Sequence, residues 1–404
     1  MTMKVLLSAF ACAPGRGSEP GVGWGVVQTV ASRYRTWVLT CEATRPFIEA
    51  RLQITPIPQC TFIYVPVPRA FKFLHGTGLG HAIYYAIWQI AAFRTAWRLH
   101  QDVAFDLVHH VTYVSAWQPS WLGWLGVPFI WSVGPLDKTP WRFLRLMSWR
   151  SRIAEIARNI GLSIFVPFTR LVTASRASLI LCASDPAPWK GSLPVARFPL
   201  GGLGLDEFSQ LARAKRRFQG SFRVASIGQL RGLKGFALGL HAFARLRATH
   251  PSSEYWIIGD GPERRYLERL ALQLGCADAV KFWGTQPREA VFGLLGEIDV
   301  LLHPSLHEQF GYVLAEAMAA SRPVICLNVG GPAVLVGDEG GITVSPDKSP
   351  TQTINRLTNA LCLLATSAKS RALAGESCHR RIAQNWTWPT LGSRLLDLYE
   401  RIAA

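Results

Sequence analysis

Short apolar runs punctuate the chain at Lys4 to Phe10, Thr36 to Thr40, Thr61 to Val65, Leu107 to His110, Phe129 to Ser132 and Leu179 to Ala183. Most lack the apolar–polar alternation of a half-exposed strand, so they predict strands buried on both faces, with helical stretches between them. Repeated strand–helix alternation of this kind implies a parallel sheet covered on both sides. A second series begins at Phe222 to Gly228 and continues through Tyr255 to Ile258, Val280 to Trp283, Ile298 to Leu302 and Pro323 to Leu327. Between the two series, Phe198 to Gly204 is glycine-rich and the following segment is basic through Arg217, which marks a hinge. The reading is an α/β chain of two Rossmann-like domains, 1–204 and 205–385. A final helix, Thr390 to Ile402, follows Trp386-Thr-Trp-Pro389.

A length of 404 residues accommodates two cores of ordinary size. With 49% hydrophobic and 17% charged residues the composition is globular, yet 43 basic against 26 acidic side chains leave a formal charge of +17. Such a charge favours polyanions, whether nucleic acid, anionic lipid or diphosphates, without choosing among them. The eight cysteines include no C-x-x-C pair and no zinc spacing, so reduced thiols in a cytoplasmic protein are expected. Met1 to Ala13 mimics a short export signal, but the turn at Gly15 to Trp24 favours reading Lys4 to Phe10 as the first buried strand. No apolar run reaches the ~18 residues needed to span a bilayer.

Candidate chemistry concentrates at 298–323. Ile298 to Leu302 reads as a strand, Gly311 onward is rich in helix formers, and Pro323 ends the pattern. A strand therefore delivers a loop that opens a helix, whose first amides, from Gly311, Tyr312 and Val313, suit a phosphate. Glu316 lies more than a turn into that helix, where an acidic side chain reaches a ribose diol. Glu308, in the loop, faces whatever hangs beyond the phosphates.

The pattern Pro304-Ser305, Glu308, Phe310-Gly311, Glu316-Ala-Met-Ala319, Pro323-Val-Ile325 and Gly330-Gly331 resembles the Glu-x7-Glu signature of retaining glycosyltransferase family 4. The resemblance implies a GT-B fold, with two Rossmann-like domains facing a central cleft, the acceptor side on the first and the nucleotide sugar on the second. It also implies that the C-terminal helix, 386–404, returns to the first domain. In the family, an Arg and a Lys after the first strand of the second domain grip the donor diphosphate. Lys234 of Ile227 to Gly235 holds the Lys position; Gln229 stands at the Arg position, with Arg231 two residues on as its replacement. Ile257 to Glu263 and Val280 to Gly284 resemble the family's Gly-x-Gly-Pro and base-side segments. Gly21-Val-Gly-Trp24 resembles the glycine-rich acceptor-side loop, with Gly21 and Gly23 allowing close approach. Where family members carry a second histidine beside the donor sugar this chain has Val111, so His110 is its substitute and His109 the reserve.

No Asp-x-Asp occurs, and the resemblance implies transfer without a metal or other cofactor, the diphosphate charge being met by Lys234, Arg231 and the helix amides. Glu308 would orient the sugar and stabilise positive charge while the leaving phosphate helps take the acceptor's proton. Trp141 to Arg176 mixes seven arginines and one acid with bulky apolar residues, and Arg69 to Arg98 has similar character. Both suit an anionic membrane surface, at the inner face of the cytoplasmic membrane. The expectation is a retaining glycosyltransferase using a nucleotide sugar and a cell-envelope glycan, lipopolysaccharide or lipid-linked acceptor, with no nucleic-acid partner. The alternatives are an epimerase or phosphorylase of the same fold, or a non-catalytic basic binding protein.

Overall fold

The structure, a computed structural model, describes every residue except 1, 75–77, 135, 184–192, 215–219, 347 and 404. The basic end of the expected hinge, through Arg217, thus lies outside the described residues. The chain forms two compact units. Unit 1 comprises Met1–Leu136, Gly161–Gly202 and Trp388–Ala404; unit 2 comprises Asp137–Ile160 and Leu203–Thr387. Residues 137–160 therefore depart from the sequence boundaries, which assign them to the first domain. The reason is packing: Phe143, Leu144 and Met147 are buried in the hydrophobic core of unit 2.

Unit 1 holds strands β1 (Lys4–Ser8), β2 (Arg35–Cys41), β3 (Cys60–Val65), β4 (Leu107–His110), β5 (Phe129–Val133), β6 (Leu179–Cys182) and β7 (Val195–Arg197). They form one parallel sheet in the order β3-β2-β1-β4-β5-β6-β7. Every residue of β4, β5 and β6 is buried, including His109, His110 and Ser132, as befits central strands covered on both faces. The C-terminal helix, Trp388–Ala403, lies against helix Ser18–Ala31. Gly25 makes the contact possible, since a Cβ there would stand 1.9 Å from the Trp388 ring. The Glu400 carboxylate accepts from the Tyr34 hydroxyl at 3.2 Å and pairs with Arg33 at 2.5 Å.

Unit 2 holds β8 (Arg223–Ile227), β9 (Glu254–Ile258), β10 (Val280–Gly284), β11 (Val300–His303), β12 (Val324–Leu327) and β13 (Ile342–Val344). These form a parallel sheet in the order β10-β9-β8-β11-β12-β13. Its core gathers β-strand residues such as Val224, Ile257, Val300 and Ile325 with Leu240 and Phe243 of helix Phe236–Thr249. The two strands absent from the sequence reading, β7 and β13, are three-residue edge strands, too short to impose a periodicity.

Candidate active site

In unit 2, β8 and β11 are neighbours at the middle of the sheet, and the chain leaves them towards opposite edges. Such a switch point opens a crevice beyond the carboxyl ends of the strands, where open parallel sheets bind ligands. The loop after β8 carries Lys234 and the loop after β11 carries Glu308.

The two loops are tied together by their backbones. The Leu306 amide donates to the Leu233 carbonyl at 2.8 Å. Gly235 follows at φ +68°, and a Cβ there would lie 2.0 Å from the Pro304 carbonyl oxygen, so the close approach demands glycine. From the other side, the Gly331 amide donates to the Glu308 carbonyl at 3.1 Å. A loop carrying the key carboxylate is thereby held by both neighbouring segments.

Lys234 Nζ donates to Glu308 Oε2, and His303 Nε2 stands 3.5 Å from the same oxygen. Burial pushes the Glu308 carboxyl up, but the Lys234 charge, joined by His303, outweighs it and holds the group well below the usual carboxylate range. Glu308 is therefore an anion at neutral pH. Gly311, at φ +88°, turns the chain into helix Tyr312–Ala319. Its carbonyl accepts from the Leu314 and Ala315 amides, which begins the helical hydrogen-bond ladder.

Glu316 projects from the second turn and is buried. Arg288 donates to its Oε1 from Nε at 3.2 Å and from Nη2 at 2.8 Å, and from Nη1 to Glu207 Oε1 at 2.5 Å. Burial raises the Glu316 carboxyl; Arg288 opposes this and Glu207 adds to it, leaving the group above its ordinary value. Both Arg288 bonds fall on one oxygen. Gln229 and Arg231, by contrast, are exposed beside the Lys234 turn.

Sequence reasoning missed Arg288, Glu207 and His303. Arg288 opens helix Arg288–Leu295 and is 28 positions from Glu316, with no motif to announce it. It also missed His307 and Arg158. Arg158 donates to Glu155 and to Thr139 Oγ1, each at 3.0 Å, and places Nη1 3.5 Å from His307 Nδ1. Burial first and Arg158 second bring His307 down to about 4, so it is neutral beside the Glu308 anion.

Unit 1 has its own switch point between β1 and β4. His109 and His110 end β4, but they do not present a free ring. His109 shares hydrogen bonds with the Tyr399 hydroxyl and, at 2.8 Å, Ser132 Oγ. His110 bonds Ser120 Oγ at 3.1 Å and the Tyr85 hydroxyl at 3.4 Å. Both are fully buried, and burial lowers them to about 3 and about 4. In unit 1 both rings are therefore neutral, with their nitrogens hydrogen-bonded to unit 1 partners. Gly21 and Gly23 lie inside helix Ser18–Ala31 rather than in a loop, and Gly23 packs on the Ala11 carbonyl. Missed here was Glu19, whose Oε1 accepts from the Val114 amide at 3.3 Å. Ser18 at φ +62° and Tyr113 at φ +58° flank that contact in left-handed conformations unusual for such residues.

Two parallel-sheet Rossmann-like units of this kind define the GT-B fold class. The solved structure of Anabaena Alr3699/HepE in complex with UDP and glucose is similar, with a TM-score of 0.61 and 18% identity over 99% of this chain and 100% of that one. Residues 208–368 match the family model described as Glycosyl transferases group 1, so the Lys234, Glu308 and Glu316 cluster lies inside the matched segment. A D-inositol 3-phosphate glycosyltransferase of Saccharomonospora viridis is 27% identical over 330 residues, 74% of this chain and 71% of that protein. The 2-deoxystreptamine glucosyltransferase of Streptomyces kanamyceticus is 32% identical over 133 residues. That match spans 32% of this chain and only 34% of the relative's length.

Proposed function

We propose that this chain is a retaining, metal-independent glycosyltransferase that moves a hexose-type sugar from a nucleoside diphosphate to a cell-envelope glycan, lipopolysaccharide or lipid-linked acceptor. It would work at an anionic membrane surface, on the inner face of the cytoplasmic membrane. The observation that carries the reading is the Lys234–Glu308 pair at the unit 2 switch point, with Glu316 on the helix that follows. Relatives named as glycosyl-transferring enzymes, and a similar fold solved with UDP and glucose, support the donor class.

Each group has a task set by its chemistry. The Glu316 Oε2 oxygen, left by Arg288, accepts from the ribose hydroxyls. An ammonium has three donors, so Lys234 can hold Glu308 and a diphosphate oxygen together. The Tyr312 and Val313 amides add fixed positive dipole ends, and Arg231 adds an exposed cation. As the bond from the anomeric carbon to phosphate breaks, its electron pair leaves with the diphosphate and positive charge grows on the sugar. The Glu308 carboxylate offsets that charge. The acceptor hydroxyl then attacks from the face just vacated, and its proton passes to the departing phosphate oxygen.

A thermal-shift screen of uridine, guanosine and adenosine diphosphate sugars, followed by turnover of the stabilising donor with EDTA present, tests the proposal. Release of nucleoside diphosphate dependent on an acceptor, with the anomeric configuration kept in the proton NMR spectrum of the product, is expected. Donor turnover without acceptor would indicate an epimerase, phosphate-dependent glycan cleavage a phosphorylase, and a strict divalent-ion requirement would overturn the metal-free route.

A further inference from the structure

Two helices of unit 1 leave large apolar side chains exposed at regular spacing. On helix Gly78–Val103, Ile83, Ile90 and Trp97 recur every seven residues, and Trp97 is 48% exposed. On the 161–172 half of helix Trp149–Val172, Ile164 and Leu171 are 61% and 71% exposed and Phe168 lies between them. The loop at 116–120 joins the two helices laterally: Thr169 Oγ1 donates to the Ala116 carbonyl at 2.7 Å, and Gln118 Nε2 donates to the Ala82 carbonyl at 3.0 Å. Spacings of three, four and seven place each set on a single helical face, so this is a stripe and not a scatter of isolated residues.

Charge identifies what such a face would meet. The sequence contains no Asp or Glu between Glu49 and Asp102, and none between Glu155 and Asp185. Over the same stretches it carries Arg94 and Arg98, exposed beside Trp97, and Arg170, exposed beside Leu171. Arg176 stacks over the Trp124 ring at 3.5 Å. Apolar ridges edged by arginine and tryptophan, without acids, match the boundary between anionic headgroups and acyl chains. Among the described residues no helix is long and apolar enough to cross a membrane.

We propose that this layer of unit 1, the Gly78–Val103 helix with the 161–172 half of the Trp149–Val172 helix, docks flat on an anionic bilayer. This rests on the membrane partner proposed above and relocates it within the chain. The segment from Trp141 to Arg176, expected from sequence to be the contact as a whole, is divided: Phe143, Leu144 and Met147 are core residues, and Arg152 and Arg158 are engaged within unit 2.

Flotation of the full-length protein with neutral phosphatidylcholine vesicles and with vesicles containing phosphatidylglycerol tests the surface. Wild type should float with the anionic vesicles and be released by high salt. The triple variant Trp97→Ser, Ile164→Ser, Leu171→Ser should lose roughly 100-fold in vesicle partitioning, since each exposed apolar side chain enters the interface. Arg142, Arg145 and Arg150 changed together to Gln should float nearly as wild type. Loss of flotation in the arginine variant with retention in the apolar one would overturn the assignment, as would no flotation of wild type. Self-association of wild type abolished by the triple variant, without vesicle binding, would show a second copy as the occupant and would equally overturn it. Calorimetric binding of the preferred nucleotide sugar, measured on the same variants without vesicles, separates this surface from the donor site.

Discussion

Lys234 occupies the point where two demands meet, because the ammonium that neutralises Glu308 must also face the donor diphosphate. Lys234→Ala is expected to lower kcat by about 10²- to 10³-fold, the scale of one pre-organised charge-stabilising contact. Arg231→Ala, which removes an exposed cation, should cost less; steady-state kinetics of both variants decide, and the reverse order would show that the phosphate roles are exchanged. Glu316 differs in its titration. Its folded value lies above the ordinary ~4.3, so it takes up a proton while Glu308, held low, remains ionised. Nucleotide affinity should therefore fall as pH drops towards the usual glutamate range, before Glu308 is touched. Arg288→Met removes the opposing charge and should move that fall to higher pH, which titration calorimetry between pH 4 and 7 would detect. An unmoved profile would mean that Glu316 does not contact the nucleotide.

At the scale of elements, the site depends on how closely two loops approach. Gly235→Ala would place a Cβ 2.0 Å from the Pro304 carbonyl, forcing the β8 and β11 loops apart. A drop in kcat with little change in global melting temperature is expected, whereas unchanged turnover would show that the loop contact is dispensable. Most strands could be read from sequence because central parallel strands write continuous apolar runs, as in Leu179 to Cys182 and Val324 to Leu327. The Glu308 and Glu316 helix junction was legible for the same local reason. Arg288 was not, since its ion pair with Glu316 exists only after β10, β11 and their helices assemble. The surroundings of the histidines were not legible either, because a strand end looks the same in sequence whether its side chains are open or packed against Tyr399, 290 positions away.

Across each unit as a folded body, buried neutral histidines couple stability to acid. His109 and His110 have folded values of about 3 and about 4, both below the ~6.5 of an unfolded histidine. The unfolded chain thus binds more protons than unit 1 between these limits, so their contribution is full above pH ~6.5 and is lost as pH falls towards 4. Urea unfolding followed at pH 7.5, 6 and 5 should show unit 1 weakening at each step, and His110→Asn should flatten the slope if the variant folds. Equal midpoints at all three values would contradict the burial of these rings as neutral groups.

The central claim is that the unit 2 switch point binds a nucleoside diphosphate sugar through Glu316 and Lys234. Isothermal titration of the stabilising nucleotide sugar into wild type, Glu316→Ala and Lys234→Ala tests it most directly, with circular dichroism confirming that each variant is folded. The account predicts saturable binding by wild type, at least about tenfold weaker binding by each variant, and no loss on adding EDTA. Unchanged affinity in both folded variants would contradict it.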